Sequence, residues 1–128
     1  MRKYTVLAAT VCAVFAGTAP VRAAEVLIAN IAPGTTEWFI DGAPFMSVPT
    51  GQHGIKKLAA GSRSVEVLDY AGGKAGKQVN FDPAQTAQVG GREFWCLASR
   101  PAAAGGPELL VLEREICLQF LGNQPPGN

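Results

Sequence analysis

Ser64-Val65-Glu66-Val67-Leu68-Asp69-Tyr70, then Ala71 to Gly76, then Lys77-Gln78-Val79-Asn80-Phe81, is the stretch that decides the fold. Val65 and Val67 alternate with Ser64 and Glu66, a period of two and not of 3.6. Gly72-Gly73-Lys74-Ala75-Gly76 interrupts the pattern with residues suited to a flexible, exposed hairpin tip. Val79 and Phe81 then share one face of a returning strand. One strand, a turn and a second strand is the unit from which antiparallel sheets are built.

The same unit repeats on either side. Upstream, Glu25 to Ile31 is rich in branched residues and stops at Pro33-Gly34. Thr36-Glu37-Trp38-Phe39-Ile40 follows and is closed by Asp41-Gly42, a pair that accepts positive φ. Phe45-Met46-Ser47-Val48 reads as a short strand ended by Pro49. His53 to Leu58 reads as another, with Ala60-Gly61 as its turn. Downstream, Asp82-Pro83-Ala84-Gln85 turns the chain, Thr86 to Val89 pairs briefly, and Gly90-Gly91 gives a bulge or bend. Glu93-Phe94-Trp95-Cys96-Leu97-Ala98 is a strong strand, and Arg100 to Pro107 an Ala/Gly/Pro loop. In Leu109 to Leu121 the residues Leu110, Leu112, Ile116, Leu118 and Phe120 share one parity, which favours a strand bent near Arg114. A helix competes there, because Leu, Glu and Arg are good helix formers. Short strands at this spacing imply an all-β sandwich.

The N-terminus carries a different signal. Arg2 and Lys3 precede an uncharged run from Tyr4 to Gly17. As a helix that run would span about 21 Å, short of the ~30 Å hydrocarbon core. Thr18-Ala19-Pro20 breaks it, and Val21-Arg22-Ala23 places small residues at −3 and −1 of a signal-peptidase site. Residues 1–23 are therefore expected to be a cleaved signal peptide, residues 24–121 a single domain, and residues 122–128, with two prolines, a flexible tail. The product is exported, periplasmic or secreted, with no membrane span after processing.

Processing removes three basic residues, Arg2, Lys3 and Arg22, and leaves 8 basic against 10 acidic ones, a net charge of −2. Such a balance offers no electrostatic case for nucleic acid. Charged residues at 16% and apolar ones at 48% exclude ordinary disorder. Processing also removes Cys12. Cys96 and Cys117 remain, an even pair in a compartment that permits disulfides, and one intramolecular bridge is expected. Two free thiols or a bridge to another molecule are the alternatives.

Little catalytic chemistry is available. His53 is the one histidine and sits in a turn entering a strand, the setting of an ordinary loop histidine. Asp41, Asp69 and Asp82 lie at strand ends beside Gly or Pro, where Asp is usually a turn residue. No Gly-x-Ser-x-Gly and no P-loop pattern occurs. No catalytic residue, metal site or cofactor is expected. The aromatic residues carry the candidate site. Trp38 and Phe39 must point to opposite faces of a strand, as must Phe94 and Trp95. One of each pair belongs to the core, and the other is exposed unless the C-terminal strand or a loop covers it. Trp38, Phe39 and Trp95, with Phe45-Met46 in a proline-flanked segment, form the candidate binding surface.

Trp38-Phe39-Ile40-Asp41-Gly42-Ala43-Pro44 and Leu58-Ala59-Ala60-Gly61-Ser62-Arg63-Ser64-Val65-Glu66-Val67 resemble the PEGA-type domains of bacterial surface proteins. Those domains have a strand ending in Asp-Gly and a Pro-Ala-Gly turn leading into a strand. Phe81-Asp82-Pro83-Ala84-Gln85-Thr86-Ala87 resembles the turn that closes them. The likeness spans about residues 25–90 and departs at Ala59, where the family often has Pro, and in the cysteine-bearing C-terminal third. It implies a small Ig-like or prealbumin-like domain of the envelope or surface, without catalytic residues. The expected function is that of a non-catalytic accessory or subunit, binding another envelope or secreted protein through a sheet face or edge. A glycan-binding module using exposed aromatics is the second reading, and a small secreted enzyme or enzyme inhibitor the third. The intact mass of the exported protein should correspond to a chain beginning at Ala24. A mass that retains residues 1–23 would overturn the cleavage site.

Overall fold

The computed structural model of the chain describes residues 23–123, and the expected signal peptide lies outside them except for Ala23. Two sheets pack face to face. The first contains β1 (Ala23–Asn30), β4 (His53–Ala59), β7 (Ala87–Val89), β8 (Arg92–Pro101) and β9 (Pro107–Leu112). The second contains β2 (Thr36–Ile40), β3 (Ala43–Val48), β5 (Gly61–Leu68) and β6 (Lys74–Phe81) in the order β3-β2-β5-β6. In the first sheet β4 pairs β1, β1 pairs β8 in parallel, and β8 is shared on its other side by β7 and β9. β7 takes Arg92 to Phe94 and β9 takes Cys96 to Pro101. The protein is thus a small β-sandwich, as the alternation implied.

Local chemistry fixes the turns. Asp41 at φ 52° and Gly42 at φ 81° join β2 to β3 with two residues of positive φ, the hairpin connection that matches strand twist. Gly90 and Gly91, where a bulge or bend was expected, do the same between β7 and β8 and turn the chain as a hairpin. The β5–β6 hairpin is tighter than the sequence suggested. β6 begins at Lys74, and the tip is held by Asp69, whose carboxylate accepts from the N–H groups of Ala71 (3.0 Å) and Gly73 (2.7 Å).

The alternation separates inside from outside in the second sheet. Trp38, Ile40, Val65, Val67, Val79 and Phe81 point inward and meet Val26, Ile28, Trp95 and Leu97 of the first sheet. In the first sheet alternation fails, because β1 and β8 are buried on both faces. Leu27, Ala29, Phe94, Cys96 and Ala98 form a second apolar layer on the far side. Continuous apolar strands of this kind need a cover on each face.

The C-terminal segment supplies the second cover, and here the expected bent strand is corrected. Pro107–Leu112 is a strand, but Arg114–Asn123 is a helix, α1. Glu115 in the first turn suits the helix dipole, and the Cys117 N–H donates to the Glu113 carbonyl at 2.8 Å. Cys117 and Leu121, four residues apart, are buried on the sheet-facing stripe of α1, with Leu118 half-buried beside them. The period of two at Ile116, Leu118 and Phe120 was coincidental; Ile116 is exposed. Gly122 and Asn123, expected in the tail, belong to this helix.

Cys96 and Cys117 are bridged, with a Cα–Cα distance of 5.6 Å, and the bond ties strand β8 to helix α1 rather than strand to strand. A second anchor is polar. Asn30 ends β1 fully buried, and its amide donates to the carbonyls of Gly34 (2.7 Å) and Val48 (2.9 Å). Its side-chain oxygen accepts from the Ala32 N–H (2.9 Å) and the Ser99 hydroxyl (3.3 Å), so one residue joins the ends of β1, β3 and β8. Replacing Cys117 by Ser should lower stability by about 3 kcal/mol, the loop-closure value for a bridge of this span. A urea midpoint unchanged from that of the oxidised wild type would contradict this.

Candidate functional site

The aromatic residues expected to form a surface do not form one patch. Trp38 is 1% exposed and its indole N–H donates to Thr36 Oγ1 at 2.9 Å. Trp95 is 7% exposed, donates to the Asp82 carbonyl at 2.9 Å, and packs edge-on against Phe81 at 5.2 Å between centroids. Phe94, on the opposite face of β8, is fully buried under the second layer, with the Arg92 guanidinium over its ring at 4.9 Å. Trp38 is therefore withdrawn as a contact residue, whereas Trp95, its indole also satisfied, borders the cleft between β6 and β9.

Phe39, Phe45 and Met46 are half-buried. Phe39 has the outward parity of β2 and sits between Pro44 of β3 and Glu66 of β5. A bulge between Trp38 and Phe39 lets both Phe45 and Met46 turn toward the core. Lys56 of β4 covers the Phe45 ring at 5.0 Å and donates to the Phe45 carbonyl at 3.1 Å. The Met46 sulfur lies so close to Gly54 that a Cβ there would stand 2.5 Å from it. These two side chains close the gap between the edge strands β3 and β4, and of the three Phe39 keeps the outward-facing side chain.

The titratable candidates are accounted for by structure. His53 meets the edge of the Phe120 ring at 6.2 Å and belongs to the packing of α1 on β4. Asp82 caps the 3-10 turn Pro83–Gln85 through the Ala84 N–H. Asp41 accepts from the Ser64 N–H and from Arg63, and these bonds, the backbone one first, hold its carboxyl below its ordinary pKa. Asp69 lies at the opposite end of the sandwich from Asp41 and Asp82, so the three carboxylates do not converge. Among the described residues no cluster of His, Cys, Asp or Glu is placed to hold a metal ion.

The concave site lies elsewhere. β6 and β9 run side by side across the open edge of the sandwich. They converge where Gly73 meets Gly106 and Pro107, and where Lys77 feels the Glu108 charge. Farther down they part around a cleft of about 560 Å³ that ends at the start of α1. Its floor and walls include Val79, Phe81, Trp95, Leu97 and Val111. Its rim is polar: Asn80, Gln85, Glu113, Arg114 and Glu115. Val111 has the inward parity of the buried Leu109, yet it is 47% exposed, because the second sheet does not reach it. Ile116, in the first turn of α1, is 45% exposed. Arg114, on this rim, donates to the Ala84 carbonyl at 2.9 Å. None of these rim residues was distinguishable in the sequence from solvated surface.

A smaller cleft of about 250 Å³ lies beside Glu25, Lys57 and Arg92. Arg92 grips the Glu25 carboxylate with two bonds, 2.6 and 2.9 Å, linking β1 to the β7–β8 turn. Hydrogen bonding from Arg92, reinforced by its charge and that of Lys57, lowers the Glu25 pKa against a desolvation effect that would raise it. No protein-family model matches this chain, and no curated protein matches it either.

The Glu25 carboxyl is more acidic folded than unfolded, so its pair stabilises the fold above the unfolded carboxyl pKa and is lost as pH falls through the lower folded value. Denaturation midpoints measured from neutral pH down through the carboxylate range should fall more steeply for the wild type than for Glu25→Gln. Parallel curves would remove the pair from the acid response.

Proposed function

We propose that this is a non-catalytic exported interaction protein, which binds another envelope or secreted protein through the cleft between β6, β9 and the start of α1. The observation that carries this reading is Val111, an inward-facing core position left uncovered at the mouth of an apolar cleft of about 560 Å³. Clefts of roughly 300–1,000 Å³ with an apolar floor and a few polar groups are the usual form of binding sites. Exposed aliphatic side chains at such a mouth are the usual form of a contact that a partner completes.

The sheet edges support the same choice. β3 carries Pro44 and a bulge, β4 carries Lys56 and Lys57, and the upper part of β6 carries Lys74 and Lys77. These are devices that discourage edge-to-edge pairing, and the lower part of β6, around the exposed Asn80, carries none of them. The disulfide agrees with an oxidising compartment. No helix among the described residues is long and apolar enough to cross a membrane. The PEGA-like likeness of residues 25–90 is part of this reading, as a surface or envelope domain without catalytic groups.

Val111→Lys changes a half-exposed side chain and should leave the thermal midpoint within a few degrees of wild type. It should weaken capture of the partner that co-purifies with wild type from envelope extracts by about tenfold. Retention by Val111→Lys combined with loss by Phe39→Ser would move the site to the outer face of the second sheet.

A further inference from the structure

Resting on that reading of the cleft, we infer that its occupant is an extended peptide segment of the partner, carrying an apolar side chain next to a lysine or arginine. The shape of the lining gives the first part. Successive residues of a strand point to opposite faces. Yet Val79, Asn80 and Phe81 of β6 all line the cleft, and so do Phe94, Trp95, Cys96 and Leu97 of β8. Runs of consecutive residues mean that backbone as well as side chains borders the space. β6 is the terminal strand of its sheet. β8 adds no second open edge: Trp95 and Leu97 turn their backbone groups toward β1, and Phe94 and Cys96 pair with β7 and β9. A cleft bounded by the open edge of β6 offers main-chain hydrogen bonds to an extended chain, and its apolar floor offers a pocket for a side chain.

Charge gives the second part. Glu113 and Glu115 are exposed at the rim, and the one cation between them, Arg114, is held to the Ala84 carbonyl. The bond to a neutral carbonyl leaves Arg114 its charge, so Glu113, Arg114 and Glu115 together carry one net negative charge, with the guanidinium held at Ala84, and a cationic neighbour of the inserted side chain meets the two carboxylates. A glycan fits less well, because Trp95 and Phe81 are buried and offer no stacking face. A second copy of this chain would bring the same two carboxylates against themselves in a symmetric contact.

The test is selection of short random peptides, displayed on beads, against the purified protein, with Val111→Lys as counter-selection. Selected peptides are then resynthesised and titrated against wild type and the Glu113→Gln/Glu115→Gln double variant, at low and high salt. Circular dichroism verifies that each variant is folded. Peptides that depend on Val111 should share an apolar residue with Lys or Arg within two positions. Their affinity should fall by about fivefold in the double variant, and similarly at high salt. Selected peptides without a basic residue, or binding indifferent to the double variant, overturn the charge assignment and leave the cleft as a protein-binding site. A selection yielding nothing that depends on Val111 overturns both, as does binding of a glycan array or a dimer in solution that Val111→Lys disrupts.

Discussion

The parallel pairing of β1 with β8 sets the terms for everything around it. Both strands are apolar on both faces, so the sheet that holds them cannot end in solvent on either side. The second sheet covers one face by ordinary sandwich packing. The other face is covered by α1, a single helix of 10 residues whose two buried side chains, Cys117 and Leu121, are few for its length. Isolated helices this short are marginal in water. The bridge from Cys96 compensates by keeping the helix on the layer it covers, and Phe120 against His53 steadies its far end.

Those parts of the fold that depend on local chemistry were legible in the residues. Asp41-Gly42, the alternation of Val65 and Val67, and the expected pairing of Cys96 with Cys117 each point to what is found. The misreadings share one cause. Phe94-Trp95-Cys96-Leu97-Ala98 is an unbroken apolar run, and an alternation rule applied to it hands one aromatic ring to solvent. A strand buried on both faces gives neither ring away, and the run itself was the sign. Reading Leu109 to Leu121 as one strand followed from the same assumption that a single cover suffices. In the sequence Asn30 reads only as part of the first strand; that its side chain closes four hydrogen bonds depends on chain ends brought together only by the complete fold. The cleft was illegible for a similar reason. It exists because the second sheet stops short of Val111, a relation between two elements that share no sequence neighbourhood.

Polar chemistry in this protein is largely committed to holding its shape. Asp69 and Asp82 form turns, Asp41 fastens Arg63 to the β2–β3 hairpin, and Glu25 is held by Arg92. Arg100 and Glu108 pair across β8 and β9 at 2.9 Å, and this bond lowers the Glu108 pKa. The rim of the large cleft is different in kind. Glu113 and Glu115 stand where α1 begins, close to apolar side chains that the fold leaves open.

The long reach of the β1–β8 pairing also shapes how the chain comes together in time. Asn30 and Ser99, which bond at the ends of the two strands, are 69 residues apart in sequence. During synthesis β1 emerges first, and its best partner follows only after most of the domain has appeared. Contacts of such separation form slowly, since much of the chain must be ordered before they contribute. Until then Val26-Leu27-Ile28 is an apolar strand with β4 alone to shield it, the kind of segment that joins foreign strands. The protein's period of greatest exposure to aggregation is therefore its own assembly, and a holding chaperone would find its natural target in β1.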